Sequence, residues 1–307
     1  MAGKGATIEA KRRVITDAAT GREVWAIGPR GAKSGAAYMY ITSFTPDERY
    51  VFFTSNVSGS PQLHRLDIES GLLTQFTAAE RFDPYQWNVH PSGEEVFYRI
   101  AGKYLAADVE TGEERLVFDP LRHEIREPRQ QIMFSPSGTW FSFSYLDDDC
   151  IAVARAACDG SGNLETVHRR PPGEGVQHVM FCNVDDDLMS FSPSPDHQQE
   201  WDAPTEMRAR TYIIHAASGK AEPFLLFPKP FTTTHDYWSP RGDRLYFHKK
   251  TRPTWVPTWI NCLDRRTRQE QEKTHRERAQ PPNPKGTGYR RILQMRDHGS
   301  LLFSEPG

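Results

Sequence analysis

Four short runs of mostly apolar residues, RYVFFTS (49–55), EEVFYRI (94–100), TWFSFSYL (139–146) and DRLYFHK (243–249), each follow a polar turn. They are rich in the β-branched and aromatic residues that suit a pleated sheet. Along RYVFFTS the side chains alternate between two sides, with Val51 and Phe53 on one and Tyr50 and Phe52 on the other, yet both sets are apolar. A strand of that kind is covered on both faces, so the pattern predicts small sheets stacked face to face.

The turns repeat with the strands. FTPDE (44–48), HPSGE (90–94), SPSGT (135–139) and SPRGD (239–243) place prolines at 46, 91, 136 and 240, the first three spaced by 45 residues. A second turn type follows in each unit, as DIESG (67–71), DVETG (108–112), CDGSG (158–162) and HAASG (215–219), with an early copy, DAATG, at 17–21. Its Asp or Ser/Thr side chains bond back to the local backbone and its glycine supplies a positive φ, which makes it a hairpin tip. Units of about 45 residues, each with several short strands and two kinds of turn, predict an all-β fold, a β-propeller in which each unit is one blade. FCNVDDDLMSFS (181–192) and MRDHGSLLFS (295–304) read as worn copies of the blade start, giving six starts near 44, 90, 134, 182, 238 and 295. The sixth has room for little more than one strand before Gly307. The expectation is a single propeller domain over 1–307 whose N-terminal hairpin, 10–30, pairs with the last blade, leaving a ring that closes incompletely or with few blades.

Composition narrows the partners. Across 307 residues, 38 Lys and Arg nearly balance 40 Asp and Glu, so no field of one sign favours nucleic acid or an anionic membrane. No window approaches the run of about 18 apolar residues of a membrane span, and MAGKGATIEAKRR lacks the apolar stretch of a secretory signal, which predicts a soluble cytoplasmic protein. The four cysteines, 150, 158, 182 and 262, have neither CxxC spacing nor a disulfide pattern and read as buried free thiols.

The candidate chemistry lies at strand starts. In a propeller such positions converge on a central funnel, and His235 in TTTHDYW occupies one, while Gln177 and His178 in GVQHVMF occupy the matching slot one blade earlier. A histidine there is either packed or aimed at a ligand, and two in register keep both readings open. His90 in NVHPSGE reads as a turn residue. Arg155 reaches towards the axis or towards solvent. The polar stretch 195–210, with Asp196, His197, Glu200 and Asp202, rims the funnel or forms a loop. Trp255 and Trp259 in TRPTWVPTWIN either stack on sugars or pack between blades, and the charged segment 264–291 reads as an outer hairpin and loop.

These motifs together, from DAATGREV through SFTPDERYVFFTSNVSGSPQLHRLDIESGLLTQFT and GVQHVMF to THDYWSPRGDRLYF and YRRILQMRDHGSLLFSEPG, resemble the oligogalacturonate lyases. Those are cytoplasmic seven-bladed propellers that split pectin fragments by β-elimination. The resemblance implies an acidic oligogalacturonide as substrate and Mn²⁺ as cofactor, held in the family by several His and a Gln, with a further His as base and an Arg nearby. By position, His178 matches the base, His235 a metal ligand, and Arg155 stands near the family arginine. Gln177, His197 and Arg208 become candidate substrate contacts. The family's remaining ligands, a Gln-x-x-His-x-His cluster, lie beyond the segment matched by GSLLFSEPG, so the resemblance also implies an incomplete metal site. The alternative is a non-catalytic propeller that binds carbohydrate or protein. A propeller serving a peptidase is disfavoured, because no G-x-S-x-G nucleophile elbow occurs.

Overall fold

The computed structural model describes residues 3–272, apart from 11, 19, 29–30, 39, 148, 172–174, 194–208, 227–230 and 252–257, together with the backbone of 291–294 and 301–304; at 251, 258 and 259 it describes the backbone alone. The described residues contain six antiparallel sheets and no α-helix. They fall into two compact units, residues 1–116 with 282–307, and residues 117–281.

In the second unit the order is simple. Each sheet is four consecutive strands, each hydrogen-bonded to the next: Pro128–Phe134 to Leu164–Arg170, Gln177–Cys182 to Lys220–Leu226, and Phe231–Trp238 to Glu270–Glu272. Such up-and-down sheets are the blades of a β-propeller. The first unit follows the same plan over Trp87–Val89 to Glu114–Phe118.

Two sheets of the first unit use the N-terminal segment. Thr7–Glu9 adds itself outside Leu72–Gln75, which the sequence pattern did not reveal. The hairpin of Arg12–Thr16 and Glu23–Ile27 pairs with Leu301–Ser304, which pairs in turn with Arg291–Gln294. Two C-terminal strands therefore stand where the spacing left room for little more than one, because the strand before MRDHGS belongs to the same sheet.

The two-faced strands behave as their pattern requires. Tyr50 and Phe52 are buried with Leu63, Trp87, Val96 and Tyr98, whereas Val51 and Phe53 are buried with Ile27, Leu66 and Leu73. One strand thus feeds two cores, and each fully buried aliphatic or aromatic side chain contributes roughly 1.5–3 kcal/mol.

The proline turns share one geometry. Ser135 N–H donates to the Trp140 carbonyl at 2.8 Å and Gly138 N–H to the Ser135 carbonyl at 2.9 Å, and the same two bonds recur at Ser239 and Gly242, at His90 and Gly93, and at Thr45 and Glu48. The residue two after the proline is left-handed each time, with φ of 57° at Glu48, 78° at Gly93, 75° at Gly138 and 63° at Gly242. Gly242 meets a second demand. A Cβ there would lie 2.5 Å from Val184 Cγ2 and 2.6 Å from Cys182 Sγ. The turn of one sheet is therefore seated against the FCNV turn of the sheet before it, and only glycine fits.

Candidate functional site

The three sheets of the second unit carry the same irregularity in their first strands. Gln130, His178 and His235 have φ of 73°, 51° and 55°. Each sits where the ladder to the second strand slips, between Arg129 and Met133, Gln177 and Met180, and Thr234 and Tyr237. A non-glycine residue held left-handed costs on the order of 1 kcal/mol, and bulges of this kind re-aim side chains beside functional sites.

Hydrogen bonds hold the bulges in place. The Gln130 side-chain oxygen accepts from the His178 backbone N–H at 3.0 Å, and its Nε2 donates to the Val176 carbonyl at 2.9 Å. One amide therefore ties the first strand of one sheet across the bulge of the next, and those strands pack side by side.

Behind the two histidines lies a buried ion pair. Arg210, at the start of Ala209–His215, donates through Nε to Asp236 Oδ1 at 3.1 Å, with 3% and 0% of the two side chains exposed. Asp236 also accepts from Ser192 Oγ at 2.9 Å and from Thr211 Oγ1 at 3.0 Å. Arg210 Nη1 donates to the Pro193 carbonyl at 3.4 Å and its Nη2 meets His178 Nδ1 at 3.2 Å. Burying both charges is tolerable only because this many partners surround them. On the neighbouring sheet His235 Nδ1 lies 3.3 Å from His248 Nδ1, with the rings at 80°.

The electrostatics keep these imidazoles neutral. Burial pushes His178 down to about 4; Asp236 opposes this, while Arg210 and His235 add to it. His235 is also lowered, first by burial and then by His248, Lys250 and Arg210, against Asp236. His248 is lowered by burial and by Lys250. His178 thus feels the charge of His235, and both feel the same Arg210–Asp236 pair, which places them in a single electrostatic neighbourhood.

The remaining candidates lie elsewhere. Gln177 is half-buried opposite Ser192, beside His178 in the strand. Arg155 stands on the third strand of its sheet, where its Nε donates to Glu165 at 2.7 Å and its Nη1 to the Asp186 carbonyl at 3.2 Å, with its guanidinium over Trp140. Those partners account for the guanidinium, and the structure does not bring it to the histidines. His197 and Arg208, with Asp196, Glu200, Asp202 and Trp255, lie outside the described residues, as does the side chain of Trp259. His90 bonds Ser92 within its own turn. Sequence reasoning missed Arg210, Asp236, His248 and Gln130; the adjacency of His235 and Asp236 in THD was the one visible signal.

Among the described residues no three His, Cys, Asp or Glu side chains converge to hold a metal. Two imidazoles at His235 and His248 fall short of the several nitrogen and oxygen ligands a manganese ion takes. The described residues therefore do not make a manganese site.

This all-β arrangement of four-stranded blades defines the chain as a β-propeller. Its resemblance is more specific than that. The chain is similar to a solved oligogalacturonate lyase in complex with manganese (TM-score 0.76, 18% identity, 89% of this chain and 74% of the other). It is also similar to an oligogalacturonate lyase from Vibrio parahaemolyticus (TM-score 0.74, 16% identity, 88% and 74%). A putative TolB from Agrobacterium tumefaciens is more distant in fold (TM-score 0.51, 14% identity, 80% and 81%). No family model matches the chain, and no curated protein matches it in sequence.

Proposed function

We propose that the second unit carries an acidic-sugar site at which oligogalacturonides are cleaved by β-elimination, as in the oligogalacturonate lyases. The observation that carries this reading is the pair of histidines held in matching left-handed bulges of neighbouring blades around one buried Arg210–Asp236 pair.

The chemistry asks for two things. A base must take the C5 proton of a uronate unit, and the adjacent carboxylate must lose some of its charge so that this proton becomes acidic. Neutral imidazoles are competent bases at neutral pH, and burial keeps His178 and His235 in that form. Arg210 is offset by Asp236, and the positive charge of Lys250, felt by His235 and His248, adds to what favours a carboxylate.

A second reading, binding without cleavage, is favoured by the described ligand set, two imidazoles where the lyase resemblance implies a fuller manganese site. One experiment separates the two. Digalacturonate and longer oligogalacturonides are mixed with the protein, with and without Mn²⁺, and absorbance of the conjugated unsaturated product is followed alongside calorimetric binding. Cleavage that disappears in His235→Ala supports the lyase reading. Binding with a flat trace supports the second reading, and neither binding nor cleavage removes both.

A further inference from the structure

We propose that Gln130 is a positioning residue of the candidate site: from one blade it holds His178 of the next in the left-handed conformation that sets the imidazole beside Arg210. The hold on His178 stands on the geometry of the free protein; its consequence for a sugar rests on the reading of the site as one for uronates.

Gln177–Cys182 is an edge strand of its sheet, so the N–H and C=O groups on its open side have no ladder partner. The slip between Gln177 and Met180 takes His178 out of the ladder as well. Backbone groups left in this way need partners from elsewhere. The Gln130 side chain supplies two of them: its oxygen accepts from the His178 N–H at 3.0 Å, and its Nε2 donates to the Val176 carbonyl at 2.9 Å. One amide thus straddles Gln177 as a peptide of a neighbouring strand would, and it fixes the chain immediately before and after that residue.

Gln130 occupies in its own strand the position that His178 and His235 occupy in theirs, with φ of 73° against 51° and 55°. With both amide atoms engaged on the neighbouring backbone, it acts through His178 and not on a sugar. The conformation it holds is what gives the His178 ring its neighbour. An unconstrained histidine would leave a φ of 51° for the extended region near about −120°, and its side chain would swing away from Arg210 Nη2, which lies 3.2 Å from His178 Nδ1. Arg210 is not free to follow, because Asp236 and the Pro193 carbonyl hold it. Gln130, His178, Arg210 and Asp236 therefore form one run of contacts across three successive blades, and Gln130 anchors it from the blade that carries neither histidine.

Two substitutions separate the hold from the fold. Gln130→Asn keeps an amide that is one methylene too short to span Val176 and His178, and asparagine accepts a positive φ more readily than glutamine. Gln130→Gly removes the side chain and relieves the backbone at 130. In labelled free protein, the three-bond amide coupling and the ¹³C shifts of residue 178 report the sign of its φ. The wild type should show a left-handed residue with a slowly exchanging amide, and both variants should lose these signatures. A freely exchanging His178 amide in the wild type, or a left-handed residue 178 in the variants, overturns the hold. With oligogalacturonides, kcat should fall about 10- to 100-fold in both variants while KM stays within about threefold, the mark of a misplaced group rather than of lost binding. Gly112→Ala, which costs stability in the first unit, should leave kcat unchanged. In a protein that binds without cleaving, the same two variants should weaken digalacturonate binding about tenfold. A relaxed residue 178 with wild-type turnover and affinity overturns the positioning role and leaves the uronate reading in place. A wild type that neither binds nor cleaves removes the uronate reading and the positioning role together, while the signals of residue 178 still decide the hold.

Discussion

At the scale of single residues, two arginines of one chain show how burial separates a structural charge from a site charge. Arg155 is answered by an exposed carboxylate, Glu165, and by the face of Trp140, so Arg155→Ala should leave sugar binding within about twofold and lower stability by about 1 kcal/mol or less. Arg210 is answered by a fully buried carboxylate. Asp236→Asn would strand its guanidinium without a counter-charge, and urea unfolding should show a loss of about 3–5 kcal/mol. Arg155 stood out in the sequence and Arg210 did not, for a physical reason. Arg155 lies on a visible apolar strand, whereas Arg210 follows a long polar insertion and meets its partner 26 residues further on, a pairing that only the packing of adjacent blades creates. Asp236 was hidden in the same way, although its neighbour His235 stood out.

At the scale of elements, the turns were legible and the bulges were not. A proline turn announces itself through residues that no other conformation favours, and its recurrence gave the blade starts directly. The left-handed bulges at Gln130, His178 and His235 use residues that adopt this conformation only occasionally, His more often than Gln, so the sequence marks them weakly. They persist because contacts from neighbouring strands impose them, as the Gln130 amide does on His178. The glycines of the two turn types should respond differently to the same change. Gly112, with φ of 73° and open space around it, should lose about 1 kcal/mol on Gly112→Ala, the cost of the backbone alone. Gly242→Ala adds a collision with Val184 and Cys182 and should lose roughly 2–4 kcal/mol. Equal losses in thermal or urea unfolding would show that the turns are not seated against one another.

At the scale of the whole molecule, each compact unit contains a histidine that folding keeps neutral. In the first unit His64 is 1% exposed; its Nδ1 donates to the Gln62 carbonyl at 3.0 Å, and burial pushes it down to about 4. In the second, His178 is pushed down to about 4 by burial. Both values lie below the ordinary imidazole value of about 6.5, so between those limits the unfolded chain binds protons that the folded chain refuses. Stability is therefore full above about pH 6.5 and is lost as pH falls towards 4, by up to about 3 kcal/mol for His64 and less for the partly exposed His178. Asp67 and Asp108, lowered in the folded state, extend the loss to still lower pH. Denaturant titrations across this range should show stability rising with pH, and His64→Leu and His178→Leu should each flatten the slope by about one proton. A slope unchanged in both variants would mean that these rings accept protons in the folded protein as readily as in the unfolded one, and the burial that keeps the second unit's imidazoles neutral would lose its support.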